Sequence, residues 1–302
     1  MKSEVLKGSF FVALGACSYG MLGSFVRMAY QDGFTTAEVV LSQFCLGLTG
    51  LFMLSLFSKR KYSQAQQQPN FKSKIRLITA GISLGLTSIF YYMAVRLVPV
   101  SVAIVLLMQS VWMSVVLEML LNRESPGRRK IISSLLVLAG TVLATQLLKR
   151  SVNISLEGLG WGLLSALSYT ATMYSSNHVG LHCPPLVRSF YMIMGGFIVI
   201  VLVFHGAINT GFSYRILVSW GVLLSVFGTI LPPLLFTRGM PSIGMGLGAI
   251  IAALEIPVAV LTANWFLHET TALSQWIGII LILTAVILMN LTTKQSLKHN
   301  NK

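Results

Sequence analysis

One carboxyl group lies among apolar residues. The chain has 302 residues and eight acidic ones, most of them in loops or at the ends of apolar runs, whereas Glu255 lies inside the run ALEIPVAV at 253–260. Burial in an apolar site disfavours the charged form of a carboxyl group, so such a group holds its proton more tightly. Two chemistries follow, which are reversible proton exchange and contact with an ammonium group. The competing explanation is a carboxyl group that only hydrogen-bonds neighbouring helices.

Aromatic and amide side chains form a second group of candidates. A tyrosine offers a small molecule one ring face and one hydroxyl, and Gln109 and Trp112 are spaced to share one face of a helix. Helix packing is the competing explanation for each of them. The predicted substrate-binding residues are Tyr19, Gln43, Tyr91, Tyr92, Gln109, Trp112, Tyr169 and Glu255. Glu255 is also the predicted proton-coupling residue, and no catalytic residue is predicted.

Neither a metal site nor a cofactor is predicted. His178 and His182 have the spacing of a zinc-binding pair and Cys183 follows them, but no acidic third ligand is near and the segment continues into Pro184 and Pro185. A phosphate-binding loop of the P-loop type does not occur in the sequence. ATP is therefore not expected to be an energy source.

The elements that position these residues must be membrane-spanning helices. Hydrophobic residues make up 55% of the chain and charged residues 10%, against about 25% charged in soluble domains. A span needs about 20 apolar residues, and its backbone must satisfy its own hydrogen bonds. We predict an all-α polytopic membrane protein of ten transmembrane helices, near 7–29, 36–57, 75–95, 101–121, 131–148, 156–176, 186–206, 216–236, 244–266 and 274–292.

The net charge of +14 reflects membrane topology in this interpretation. The basic residues form short clusters between apolar runs, so the predicted partner is the lipid bilayer and not a nucleic acid. If both termini are cytoplasmic, 17 of the 22 Lys and Arg residues lie on the cytoplasmic side, as the positive-inside rule requires. The predicted location is the cytoplasmic (inner) membrane. The sequence does not decide between a monomer and a homodimer.

The sequence contains an internal repeat. RLVP at 96–99 precedes an apolar helix that ends at Asn122-Arg123-Glu124, and RGMP at 238–241 precedes one that ends at Leu267-His268-Glu269. Ser18-Tyr19 is echoed by Ser168-Tyr169. These patterns predict two five-helix repeats, at 1–150 and 151–302. Because five is odd, the second repeat must be inverted in the membrane, an arrangement typical of transporters.

The repeat pattern resembles the EamA-type permeases of the drug/metabolite transporter superfamily. The matching segments are LGACSYGMLGSFV at 14–26 and MPSIGMGLGAIIAALEIPVAVLTANWFLHETTALSQWIGIILILTAVIL at 240–288. The first repeat departs from the pattern, with Trp112 where the second has Pro257. The resemblance implies a ten-helix carrier of small molecules that works by alternating access.

Three functions are compared on this basis. The preferred one is export of small metabolites such as amino acids, with a coupling proton at Glu255. The alternative is proton-coupled efflux of lipophilic cations, for which one membrane carboxylate and several aromatic rings suffice. From another class, a membrane enzyme acting on lipids is disfavoured, because such chemistry needs clustered Asp, His or metal ligands and the only aspartate is Asp32.

Three local patterns also predict helix geometry or pairing. Gly81 and Gly85 form a GxxxG pair that allows two helices to approach closely. Pro232 and Pro233 should kink their helix and free backbone carbonyls near the cavity. Glu118, near the end of its span, is expected to pair with Arg123.

Overall fold

A computed structural model describes residues 2–58, 69–98, 100–123, 125–145, 155–209, 211–268 and 271–299. The described residues are helical apart from short connections. The α-helices are α1 (Lys2–Gln31), α2 (Thr36–Ser58), α3 (Phe71–Leu97), α4 (Val100–Leu107), α5 (Ser110–Asn122), α6 (Arg128–Ala144), α7 (Leu156–His178), α8 (Pro185–Asn209), α9 (Arg215–Val218), α10 (Gly221–Ser225), α11 (Leu231–Ile243), α12 (Met245–Ala252), α13 (Glu255–Leu267) and α14 (Leu273–His299), and a π-helical segment covers Val226–Ile230.

The predicted spans coincide with these helices, although spans 4, 8 and 9 each consist of more than one. In the described part of the chain, seven helical stretches are long and apolar enough to cross a membrane, and Leu273–Met289 in α14 is a shorter apolar stretch. The all-helical membrane architecture is confirmed. The count of ten stays a prediction, because α6 and α7 are not among the seven.

The composition of α7 follows from its place inside the bundle. It packs against α3, α4, α5, α11 and α12, so little of it needs to face lipid. Its Ser165, Ser168, Thr172 and Ser176 are buried, and Ser168 donates a hydrogen bond to the carbonyl of Ser83 in α3 (2.8 Å). A helix surrounded by protein can carry polar residues that a lipid-facing helix cannot.

Local signals in the sequence explain the α1–α2 connection. Gly33 has φ +87°, which a residue without a side chain adopts freely. Thr35 and Glu38 then form a capping box, because the Thr35 amide donates to Glu38 Oε2 (2.7 Å) and the Glu38 amide donates to Thr35 Oγ1 (3.3 Å). Glu38 Oε1 also accepts the Ser213 amide at 2.7 Å, which ties α2 to the second half of the chain.

Spans 4 and 9 are broken at equivalent places. In both, a helix of eight residues is followed by two non-helical residues, a helix of 13 residues and a left-handed residue. The left-handed residues are Arg123 (φ 54°) and His268 (φ 52°). The following Glu124 and Glu269, which the repeat pattern pairs, lie outside the described residues. A break shared by two copies points to a common architecture.

Pro257 is not the cause of this break. The first repeat has Trp112 at the position of Pro257 and is broken at the same place, before Ser110. In the second repeat, Pro257 cannot donate to the Ala253 carbonyl, because proline has no N–H. The Ile256 amide donates to that carbonyl instead (3.1 Å).

The packing of α3 against α8 depends on glycine. A β-carbon on Gly81 would collide with the backbone carbonyl of Met192, and one on Gly85 would lie 2.5 Å from the carbonyl oxygen of Gly196. From the other side, a β-carbon on Gly195 would collide with the Ile78 carbonyl. The close approach predicted from the GxxxG pair is therefore present, with α8 as the partner helix.

Candidate functional site

A cavity of about 1060 Å³ lies between the two halves of the bundle. Its wall is formed by α1, α2, α3, α4, α6, α7, the π-helical segment, α13 and the start of α14. Along α1 the lining runs from Tyr19, near the middle of the helix, to Tyr30 at its end. Six of the eight predicted substrate-binding residues line this cavity, namely Tyr19, Gln43, Tyr91, Tyr92, Tyr169 and Glu255.

The cavity is one-sided. We call the end of the bundle at the start of α1 and the end of α5 the near end, and the end at Tyr30 and Leu267 the far end. The lining residues reach the far end at Tyr30, Leu267 and Thr271. The cavity thus extends from mid-depth to the far end, while the near end is packed.

Glu255 is placed at mid-depth by the break in span 9. It is the first residue of α13, where the positive end of a helix dipole favours a carboxylate. A β-carbon on Gly20 of α1 would lie 2.5 Å from the Glu255 carbonyl oxygen, so α1 and α13 touch at this level. Tyr19, Tyr91 and Tyr169 line the same cavity as Glu255.

The tyrosines differ in how they are held. The Tyr19 ring meets Phe236 edge-on at 5.8 Å, and Tyr91 meets Tyr92 edge-on at 5.9 Å. The Tyr169 hydroxyl is buried and has no hydrogen-bond partner among the described residues. Buried hydroxyls are normally paired, with protein or with water. Tyr169 can therefore donate to a group that enters the cavity.

Gln43 is fixed through its backbone. Thr229 Oγ1 in the π-helical segment donates to the Gln43 carbonyl at 2.9 Å, which holds α2 against span 8. The Gln43 side chain is 5% exposed and lies against Gly228, where a β-carbon would collide with Nε2. Its amide, which offers both a donor and an acceptor, remains on the cavity wall.

Gln109 and Trp112 are not brought into the cavity. They share a helix face as predicted, since Trp112 Nε1 donates to Gln109 Oε1 at 2.9 Å. That face turns away, however, and neither residue is among those that line the cavity. Trp112 is 41% exposed, as suits a side chain at the bundle's outer surface. A substrate contact at these two residues has no support from their position.

Arg27 lines the cavity and was missed. It lies in α1 on the face of Tyr19, Gly23 and Tyr30, seven residues beyond Gly20 and therefore about 10 Å further along the helix. The available signal was an arginine that follows the apolar run LGACSYGMLGSFV. The sequence analysis counted Arg27 only among the basic residues on the outer side, because depth in a span does not reveal which way a side chain points.

The near end is closed by α5 against α12. The two helices pack together, and a β-carbon on Gly246 of α12 would collide with Glu118 of α5 and lie 3.4 Å from Val115. Glu118 forms an ion pair with Lys130 of α6, so the expectation of a pair with Arg123 was wrong. Arg123 is the left-handed residue that ends α5, whereas Lys130 lies in the first turn of the next helix.

The helices that correspond to α5 and α12 in the other repeat, which are α13 and α4, are separated. In the repeat pattern α4 corresponds to α12 and α5 to α13. Ile104 and Leu107 of α4 and Ala259 and Val260 of α13 line the cavity, which therefore lies between these two helices. The pair α5 and α12 is packed at the near end, whereas the equivalent pair α4 and α13 is apart at the far end.

Arg188 is buried at the near end and connects three helices there. It is 2% exposed and donates hydrogen bonds to the carbonyls of Val179 (2.9 Å), Thr237 (2.7 Å) and Ser176 (2.7 Å). These carbonyls belong to the end of α7 and to α11, so one guanidinium joins α7, α8 and α11. Cations at helix C-termini also interact favourably with the helix dipole.

The histidine pair forms no metal centre in the described part of the chain, where no three His, Cys, Asp or Glu residues cluster. His178 stacks on Tyr174 with ring centres 4.7 Å apart, and His182 Nε2 lies 3.0 Å from Ser73 Oγ. His178 thus contacts its own helix, α7, and His182 contacts α3.

Comparison with known proteins agrees with this architecture. The chain is 30% identical over 183 residues to "Uncharacterized inner membrane transporter YicL" of Salmonella typhimurium, a match that covers 58% of this chain and 59% of that protein. A solved structure titled "Crystal structure of protein" superposes with a TM-score of 0.76 at 16% identity, covering 97% of this chain and 99% of the other. That likeness concerns the fold alone.

The family model is matched twice along the chain. The model of the EamA-like transporter family covers residues 6–146 and again 156–291, which is nearly the whole sequence. Together with the apolar helices, this establishes a multi-pass membrane protein, and the relative is named as an inner membrane transporter. The chain belongs to the EamA-like transporter family, within the drug/metabolite transporter superfamily.

Proposed function

We propose that the protein exports small metabolites such as amino acids across the cytoplasmic membrane by alternating access. The observation that carries the proposal is a one-sided cavity whose lining residues include both Glu255 and Arg27. A cavity of about 1060 Å³ is at the upper end of the usual size for small-molecule sites.

The two charged groups match a zwitterion. An amino acid carries an ammonium group, for which Glu255 and the tyrosine faces around it are suitable partners. Its carboxylate suits a guanidinium, which binds such groups through two parallel hydrogen bonds. Arg27 lies about 10 Å further along α1 than the contact with Glu255, so the ligand would lie along the cavity with its carboxylate toward the far end.

Alternating access is supported by the unequal state of the two equivalent helix pairs. With both termini in the cytoplasm, as the positive-inside rule favours, the far end faces outward. The return to an inward-facing state would then bring α4 and α13 together and separate α5 from α12. Repeats of inverted topology provide such an exchange.

Glu255 is proposed as the coupling residue. An exporter driven by a proton gradient releases a proton inward when substrate binds and takes one up from outside. Replacing Glu255 with Gln keeps the shape and hydrogen bonding but removes the ionisation. We expect Glu255→Gln protein in liposomes to lose transport driven by an imposed pH gradient. Substrate exchange at equal pH should then require a higher substrate concentration, because the ammonium group has lost its charged partner.

The matched control is Glu157→Gln. Glu157 is an exposed residue at the start of α7 that accepts a hydrogen bond from Trp161 Nε1 (3.3 Å), and it does not line the cavity. This variant should respond to the gradient as the parent does. A parental response from Glu255→Gln would reduce Glu255 to a packing residue and remove the coupling proposal.

Efflux of lipophilic cations is the second candidate. The observation that favours it is the set of three tyrosines around Glu255, since aromatic faces bind cations without needing an N–H group. A competition assay in liposomes over amino acids, sugars and lipophilic cations separates the two. Competition by amino acids supports the first, and competition by lipophilic cations alone supports the second.

A further inference from the structure

The carbonyl of Gly228 has no donor within its own helix. In an α-helix it would accept the amide of residue 232, and in a π-helix the amide of residue 233. Both residues are proline and proline has no N–H. The amide of Leu231 donates to Val226 instead. In the described part of the chain no side chain donates to Gly228 either.

Other carbonyls that proline deprives of a donor have found partners. The Phe227 carbonyl accepts Ser18 Oγ of α1 (3.0 Å). The Thr237 carbonyl, which loses its donor to Pro241, accepts Arg188 (2.7 Å). The Ala253 carbonyl, which loses its donor to Pro257, accepts the Ile256 amide (3.1 Å). Gly228 differs from these three in that it lines the cavity.

Gly228 lies at the same depth as Glu255. Its neighbour Phe227 is bonded to Ser18, and two residues along α1, Gly20 touches the Glu255 carbonyl. Gln43 and Leu22 pack against the α-carbon of Gly228 so closely that a β-carbon would collide with Gln43 Nε2. The absence of a side chain therefore lets Gln43 and Leu22 pack directly against this backbone, and Gly228 still lines the cavity.

We propose that the Gly228 carbonyl accepts a hydrogen bond from the primary ammonium group of the substrate. The proposal rests on the proposed function and specifies its substrate class: Glu255 supplies the opposite charge, and the carbonyl selects a cation that carries N–H donors. A quaternary ammonium ion has no N–H and leaves the carbonyl unpaired. Sites with buried groups that a ligand leaves unpaired discriminate strongly against that ligand.

Restoring the missing helix donors tests this. Pro232→Ala places an N–H four residues after Gly228, and Pro233→Ala places one five residues after it. Either lets the helix satisfy the carbonyl itself. The probes are phenylethylamine and its N,N,N-trimethyl derivative, and the readout is the ratio of their affinities for purified protein in nanodiscs. We expect the parent to prefer the primary amine about tenfold, which corresponds to about 1.4 kcal/mol.

In at least one of the two variants the preference should fall toward one, through weaker binding of the primary amine with binding of the trimethyl derivative unchanged. The latter also shows that the site is still folded. Pro241→Ala is the control, because Arg188 already satisfies the carbonyl that Pro241 leaves without a donor. This variant should keep the parental ratio.

An unchanged ratio in both Pro232→Ala and Pro233→Ala, or equal affinities in the parent, overturns the inference and leaves the proposed function standing. If neither probe binds the parent, and amino acids do not bind either, both proposals fail.

Discussion

At the scale of single residues, the charges of the cavity are separated along α1. Gly20 marks the level of Glu255, and Arg27 lies two turns away toward the far end. Between these levels α1 contributes Ser24 to the wall, which is polar without being charged. A ligand with one charge of each sign has its two groups recognised independently in such a site.

We expect Arg27→Gln to weaken binding of amino acids about tenfold while leaving simple amines nearly unaffected. The physical reason is the loss of a hydrogen bond between charged groups, which is worth about 1.5–3 kcal/mol. Isothermal titration with phenylalanine and phenylethylamine provides the comparison.

Arg96→Gln is the control, since Arg96 also lies at the far end but does not line the cavity. Equal losses for both ligands in Arg27→Gln would mean that Arg27 shapes the cavity and does not contact the carboxylate.

Sequence alone identified most of the polar wall because depth in a span can be counted. Glu255, Gln43 and Tyr169 lie mid-span and do line the cavity. Direction cannot be counted in the same way, because a helix that is apolar all round gives no preferred face. Gln109 and Trp112 therefore do not line the cavity, and Arg27 was overlooked.

At the scale of helices, the α3–α8 contact is held by backbones in direct contact. We expect Gly81→Leu to lower the free energy of unfolding by about 1–3 kcal/mol or more, because a side chain there must push α8 away. Thermal unfolding in detergent measures it.

Gly160→Leu in α7 is the matched control. No atom lies within 4 Å of a β-carbon placed on Gly160, so the added side chain has room and the melting temperature should not fall. If Gly81→Leu has the same melting temperature as this control, α3 and α8 do not meet as closely as described.

The helices themselves were largely predictable, and their interruptions were not. Apolar runs show where a span lies, but nothing in the sequence around Met108 and Gln109 breaks a helix. The two-residue interruption there is imposed by the packing of the bundle. At Pro232 and Pro233 the sequence did contain a signal, and the predicted disturbance is present as the π-helical segment before them.

At the scale of the whole molecule, the direction in which the cavity faces depends on topology. Reporters inserted within residues 61–70 and fused after Lys302 should both be cytoplasmic, since most basic residues then lie inside. Residues 61–68 and Lys302 lie outside the described residues. An external signal from either reporter would reverse the orientation or change the number of spans.

The equal segment lengths in the two broken spans bear on the surrounding lipid. Arms of eight and 13 residues measure about 12 and 20 Å, together close to the roughly 30 Å of a hydrocarbon core. Each facing pair, α5 with α12 and α4 with α13, combines one long arm with one short arm. The two pairs therefore have the same combined helix length, so that closing one while opening the other leaves the total unchanged. In the proposed alternating-access cycle the apolar height of the protein would stay constant, and the bilayer would not need to thin or thicken to follow it.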